Sequence, residues 1–284
     1  MTQLLGAIQA ELPRYKSVID FWLSRFPRVY RFVEDRRRWT SWDRRVYLSL
    51  IERGDVIADI GANVGGHTVL FSHLAGKNGK VMSFEPIPAN LSALEQTLLA
   101  RQRYDNVTVV PAALGNPAPS QSRAVINLPV GDLTQASLAV QSTGSWSGSA
   151  NVQQMEIQIS SLDAEVARLG VDTLDFVKVD VEGAEREVIF GGAAALRRYK
   201  PILYCEVFKK WTTSFGYSPA DLFHSVQDLG YTEARVISDG TVLRVAIGAP
   251  PEDLFDVSCD VIFCTPDRID RLRRFDLLYG SAWR

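Results

Sequence analysis

Two acids close apolar runs in the second half of the chain: Asp180 follows Phe176-Val177-Lys178-Val179, and Glu206 follows Ile202-Leu203-Tyr204-Cys205. Carboxylates at the tips of neighbouring strands can take a proton from an acceptor hydroxyl or orient it. His67 is a third candidate base, lying just after the run Asp59-Ile60-Gly61-Ala62-Asn63-Val64-Gly65-Gly66. Glycines at 61 and 65 let backbone N–H groups approach a ligand at a helix start. A second apolar run, Lys80 to Phe84, ends in Glu85-Pro86. An acid placed about 20 residues beyond such a loop can accept two ribose hydroxyls, so a nucleoside cofactor is expected.

The spacing bears on which nucleoside. A dinucleotide loop needs G-x-G-x-x-G, whereas Gly61 and Gly65 are separated by three residues and Asp59 stands just before them. An acid there suits the ammonium of an amino acid better than a diphosphate, which points to S-adenosylmethionine. Glu85 would hold the ribose. Pro86 and Ile87 would touch the adenine face. Ala113 and Leu114 would offer it backbone and apolar surface, or else serve as core. Asn63 is either a cofactor contact or a turn residue. Asp180 faces both cofactor and acceptor. Lys178 shares its face and would hold it ionised, meet the acceptor or form a buried pair. Glu182 and Glu185 are read as acids that complement a helix start. Asp180 and Glu206 could also hold a divalent cation, but a metal-free site is preferred because no further carboxylate cluster or His pair at ligand spacing is apparent. His73 and His224 are read as structural. A nicotinamide-dependent oxidoreductase and an inert cofactor-binding protein remain as alternatives.

Several blocks together resemble the FkbM-type S-adenosylmethionine-dependent methyltransferases. They are Asp59-Ile60-Gly61-Ala62-Asn63-Val64-Gly65, Phe84-Glu85-Pro86, Pro111-Ala112-Ala113-Leu114-Gly115, Lys178-Val179-Asp180-Val181-Glu182-Gly183-Ala184-Glu185 and Tyr204-Cys205-Glu206-Val207. The resemblance implies O-methylation of a hydroxyl on a sugar, a glycolipid or a polyketide-type secondary metabolite. It also implies a sheet whose last strand runs antiparallel to the others.

These residues need an alternating α/β chain to position them. Period-two and buried runs predict strands at Val56–Ile60, Lys80–Glu85, Val107–Pro111, Phe176–Asp180, Ile202–Val207, Thr232–Ile237 and Val261–Cys264. Helices are predicted at Gly66–Leu74, Pro88–Arg101, Leu162–Leu169, Gly183–Phe190 and Pro219–Leu229. The fold class is a doubly wound, seven-stranded, mostly parallel sheet of Rossmann-like form, with an N-terminal helical extension. The expected division is a basic, aromatic cap over residues 1–50, a catalytic domain over 51–270 and a tail over 271–284. Residues 116–154, rich in Ser, Gly, Gln and Pro, read as a mobile insertion, with Trp146 as an apolar contact if it closes as a lid.

Bulk properties exclude more than they identify. The chain has 284 residues, 46% of them hydrophobic, and a formal charge of −2, which gives no footprint for nucleic acid. Residues 14–53 hold eleven basic and five acidic side chains among aromatics such as Phe21, Trp22, Phe26 and Trp39. That segment would pack as a cap, touch a membrane surface peripherally or contact another subunit. No apolar run approaches the 18 or so residues of a membrane span, and no signal peptide is evident, so a cytoplasmic enzyme with a small-molecule or saccharide acceptor is expected. Cys205, Cys259 and Cys264 are expected as buried, reduced thiols.

Overall fold

In a computed structural model, described here for residues 41–100, 105–129, 133–141, 146, 152–280 and 282–283, strands and helices alternate along most of the chain. Strands β1 (Val56–Ile60), β2 (Lys80–Phe84) and β3 (Val107–Val110) are joined by helices α2 (Gly66–Ala75) and α3 (Pro88–Ala100); α1 (Trp42–Leu50) precedes them. Strand β4 (Ala113–Leu114) leads to a hairpin of β5 (Arg123–Pro129) and β6 (Val152–Ser160). After it come α4 (Leu162–Arg168), β7 (Phe176–Val179), α5 (Glu185–Gly191), α6 (Ala193–Tyr199), β8 (Ile202–Val207), α7 (Lys209–Ser214) and α8 (Pro219–Gln227). Strands β9 (Glu233–Ser238), β10 (Thr241–Val245) and β11 (Cys259–Cys264), helix α9 (Ile269–Tyr279) and β12 (Ala282–Trp283) complete the order.

The main sheet runs β12-β10-β9-β11-β8-β7-β1-β2-β3. Its pairs from β3 to β8 are parallel, and β11 lies antiparallel between β8 and β9. The seven expected strands are all present, and the resemblance's antiparallel last strand is β11. The hairpin partner β10 and the short β12 extend the edge beyond them. The chain first winds from β1 outward to β3, then returns to β7 on the other side of β1. Connections therefore diverge at the β1/β7 boundary, and a crevice opens beyond the carboxyl ends of these strands.

β1 is buried at every position because helices cover both faces of the sheet. One face packs Ile60, Phe84, Val179 and Cys205 with Leu222 and Phe223. The other packs Ile57, Phe176, Tyr204 and Ile262 with Tyr47, Phe71, Leu272 and Phe275. Helix α8 starts from a capping box, in which the Asp221 amide donates to Ser218 Oγ and the Ser218 amide to Asp221 Oδ2. The three cysteines are buried and unbridged.

Three expectations need correction. Residues 271–284 are not a tail: Leu272 and Phe275, three residues apart on α9, are buried in the core. Arg271 anchors the same helix on Asp55, and Arg235 pairs with its Asp276. Second, the insertion is not unstructured along its length, since β5 and β6 pair antiparallel from Arg123↔Gln158 to Pro129↔Val152. Its polar composition hid the period-two pair Ile126 and Leu128, which buries with Ile87 and with Ile157 of β6. Third, Trp146 is an anchor rather than an open apolar contact: it is buried, and its indole N–H donates to the Gln135 carbonyl. The rest of the Ser/Gly run around it, and residues 1–40 of the proposed basic, aromatic cap, lie outside the described residues. Within α1, Val46, Tyr47, Leu48 and Leu50 are buried against the sheet.

Candidate functional site

The loop after β1 sets the crevice floor. Gly61 has φ +80°, and a Cβ there would lie 1.9 Å from the Asp180 carbonyl oxygen, so only glycine lets the two strand ends meet. Gly65, at φ +84°, starts α2 with its Cα over Leu94. Between them Asn63 takes a left-handed conformation, φ 51°, and its amide donates to Glu85 Oε2 at 2.9 Å. The Ile87 amide and Asn90 Nδ2 donate to Glu85 Oε1 at 3.0 and 3.3 Å. Burial pushes the Glu85 carboxyl up, while these donors pull it back.

These groups border a cavity of about 200 Å³ lined by Gly61, Asn63, Glu85, Pro86, Ile87, Ala113, Leu114, Asp180 and Glu206. Hairpin residues Ile126, Leu133, Ala136, Ser137 and Leu138 roof it, and Glu182 completes the wall. The roof is tied down where Ser137 Oγ and Gln141 Nε2 donate to the Glu182 carbonyl at 2.8 and 3.0 Å. A nucleoside with a free ribose fits this chemistry. Asn63 Oδ1 is buried without a partner, Glu85 Oε2 accepts from the Asn63 amide, and both residues line the cavity with unused acceptor capacity. Apolar walls from Ile87, Ala113 and Leu114 suit a flat base.

Three sequence candidates lie elsewhere. Asp59 is fully buried behind the loop, where it accepts from Thr68 Oγ1 at 2.6 Å and lies 3.6 Å from Lys178 Nζ. Gly65 shapes the loop from outside the cavity wall. His67 turns toward α1: its Nε2 is 3.3 Å from Asp43 Oδ2, and its ring meets the edge of Tyr47 at 5.2 Å.

Lys178 is 2% exposed and donates to the Gly61 carbonyl at 3.2 Å, with Asp180 Oδ2 at 3.1 Å. It is therefore spent inside the fold and holds Asp180 from behind. Burial opposes charge on Asp180, yet Lys178 and a hydrogen bond from Glu206 outweigh it, and its carboxyl stays below the ordinary range. Glu206 has the opposite fate. Burial and the adjacent Asp180 charge push it up to about 9, so it keeps a proton at neutral pH. The two acids titrate as a pair sharing one proton. Ser258 Oγ donates to Glu206 Oε1 and fixes its orientation.

Glu185, read as a helix-start acid, does open α5, and it is also buried beneath the crevice. It accepts from the Gly183 amide and Tyr217 Oη at 3.1 Å each, and burial raises it to about 7. Glu182 corrects the expectation that no further carboxylate joins the pair: its left-handed backbone, φ 55°, brings it to Asp180 and Glu206, with one oxygen of each within 4.8 Å of the others. Sequence reading also missed Asp43, Tyr47, Tyr204 and Asp260. The signal for the first two was their i,i+4 spacing on one helix. For Asp260 it was alternation along β11, which places it opposite Glu206.

A family model described as the methyltransferase FkbM domain matches residues 59–233. A stretch of 60 residues is 35% identical to Protein-L-isoaspartate O-methyltransferase 2 of Archaeoglobus fulgidus, covering 21% of this chain and 27% of that protein. A stretch of 63 residues is 43% identical to the Protein-L-isoaspartate O-methyltransferase of Methanococcoides burtonii, covering 22% of this chain and 30% of that one. The chain thus matches less than a third of the length of these curated relatives. Among solved structures, a methyltransferase FkbM from Methylobacillus flagellatus KT aligns with TM-score 0.44 and 18% identity over 75% of this chain and 43% of that one. A SAM-dependent methyltransferase from Aquifex aeolicus aligns with TM-score 0.42 and 15% identity, covering 78% and 87%.

Proposed function

This chain belongs to the FkbM methyltransferase family, and from that premise we propose that it methylates a hydroxyl group on a small molecule, of the sugar, glycolipid or polyketide class. S-adenosylmethionine is the donor, and when bound it supplies an electrophilic methyl group. Asn63 and Glu85 would hold its ribose; Ile87, Ala113 and Leu114 would flank its base; the Gly61 turn would admit its amino-acid end.

The observation that carries the choice of a hydroxyl is the Asp180–Glu206 pair at the cavity's end. An alcohol needs a group that takes its proton as the new C–O bond forms. Asp180 is ionised, lines the cavity and is 32% exposed on its side chain, so it can receive that proton. Its low pKa makes it a weak base, which suits a proton that leaves late in the transfer. Glu206, protonated, holds Asp180 in place and is no base at neutral pH. His67 stands outside the cavity wall and pairs with Asp43. Positioning of the hydroxyl supplies much of the remaining acceleration.

The test is transfer of a ¹³C-labelled methyl from the donor to a panel of hydroxylated acceptors, read by NMR as new O–CH₃ signals. For Asp180→Asn, turnover at saturating donor is expected to fall by about 10² or more, with donor affinity changed little. Full turnover in that variant would remove Asp180 as the proton acceptor, and N–CH₃ products alone would overturn O-methylation.

A further inference from the structure

The acidic side of the crevice continues past the donor cavity. Asp260 stands directly across from Glu206 in the antiparallel register, and Asp180 follows Val179, the partner of Cys205, on the other side. Across the gap α1 contributes Asp43, whose carboxylate is 30% exposed beside His67 at 34%. Asp43, His67 and Asp260 are absent from the donor cavity's lining, so this rim is a second surface that shares only Asp180 and Glu206 with it.

Beneath the rim lies Tyr47, fully buried, its hydroxyl without a hydrogen-bond partner. Its ring is fixed edge-on by Tyr204 at 5.2 Å and Phe71 at 4.7 Å. The same ring meets His67 edge-on at 5.2 Å, which sets it under the His67–Asp43 pair, and burial and the surrounding carboxylates disfavour its ionised form. A buried hydroxyl left unpaired is costly, and polar groups of this kind in native proteins answer to a ligand or water.

The charge count is one-sided. Asp43, Asp180, Glu206 and Asp260 gather here; His67 Nε2 lies 3.3 Å from Asp43 Oδ2, and Arg44 adds a weaker positive field at Asp43. Lys178 is committed behind Asp180 and Asp59. Burial first, and the crowding of acids after it, keeps Glu206 protonated and raises Asp260 to about 6. A positively charged guest would relieve that crowding, while a phosphate or carboxylate would add to it.

We propose that the rim of Asp43, Asp260, Asp180 and Glu206 over Tyr47 is the acceptor site, and that its acceptor is a hydroxylated molecule carrying an ammonium group. The inference rests on the methyltransferase reading.

Saturation-transfer NMR on the full chain with bound S-adenosylhomocysteine tests it. The probes are three charge classes: amino sugars and amino alcohols, neutral sugars, and sugar phosphates. Amine-bearing probes are expected to give the strongest signals and phosphates none. Asp260→Asn is expected to weaken amine binding at least fivefold and to erase its advantage over the neutral sugars, while S-adenosylhomocysteine affinity stays unchanged. Tyr47→Phe guards against a folding artefact: it is expected to fold at least as well as the wild type and to weaken the same probes. Preference for phosphates, no preference among the classes, or no binding by any class while S-adenosylhomocysteine still binds would overturn the proposal. Loss of S-adenosylhomocysteine binding by the wild type would instead overturn the methyltransferase reading itself.

Discussion

The donor cavity and the acidic rim share Asp180 and Glu206 but are built on different principles. The donor side is made by backbone: Gly61, Asn63 and Glu85 come from one strand–loop–helix–strand unit and hold one another through main-chain amides. The rim is made by side chains carried on α1, α2, β7, β8 and β11, which are distant in sequence. A surface made from one local unit tolerates little change and can take one ligand shape. A surface gathered from five elements can change its charges singly, which is how a single fold accommodates different acceptors.

Gly61→Ala should break the donor side most severely. The added methyl would collide with the Asp180 carbonyl in a backbone region that disfavours it, and a loss of about 3 kcal/mol or more is expected in urea unfolding. Wild-type stability and donor affinity in that variant would show that the two strand ends do not need their close approach.

Glu85→Ala should act next. Donor affinity measured by calorimetry is expected to fall by about 1.5 kcal/mol or more as charge-assisted hydrogen bonds vanish. The apo protein should also lose stability, because the Asn63 and Ile87 amides lose their acceptor. An unchanged dissociation constant would contradict the ribose assignment. Turnover at saturating donor should change far less than affinity, in contrast to Asp180→Asn.

The shared acids bear on pH dependence. Native Glu206 keeps its proton up to about pH 9, whereas unfolded glutamate releases it near 4.5. The native state therefore binds the extra proton across that window, and this contribution to stability declines as pH rises through it. Asp260, raised to about 6, and Glu185, raised to about 7, act with the same sign. Urea unfolding at pH 6 and pH 9 should show a decline that is clearly smaller in Glu206→Gln. An identical decline in that variant would mean that Glu206 is ionised in the native protein.

What could be read in advance follows the same division. The strand–loop–helix–strand unit announced itself because glycine at a left-handed turn, an acid at a strand tip and buried apolar runs are local requirements, and neighbours in sequence satisfy them. The parallel order of the sheet came from the alternation of strands and helices, and the antiparallel β11 from the family resemblance. The hairpin over the cavity was misread because its buried apolar positions, Ile126, Leu128 and Ile157, stand among polar residues, one of which, Asn127, is buried with them. The inward turn of Asp59 and the pairing of His67 with Asp43 were invisible for another reason. Each depends on a partner from a different element: Lys178 on β7 for one, α1 for the other.

The sequence alone determined the fold class and the strand–loop–helix–strand unit that carries Gly61, Asn63 and Glu85, since those rest on backbone conformation and short-range pattern. Only the tertiary structure decided the state of the acids. Whether Asp180 is charged and Glu206 protonated depends on burial and on Lys178, and no local stretch of chain contains those facts. Protonation is set by the whole field around a group, and that field exists only once distant strands have been brought side by side.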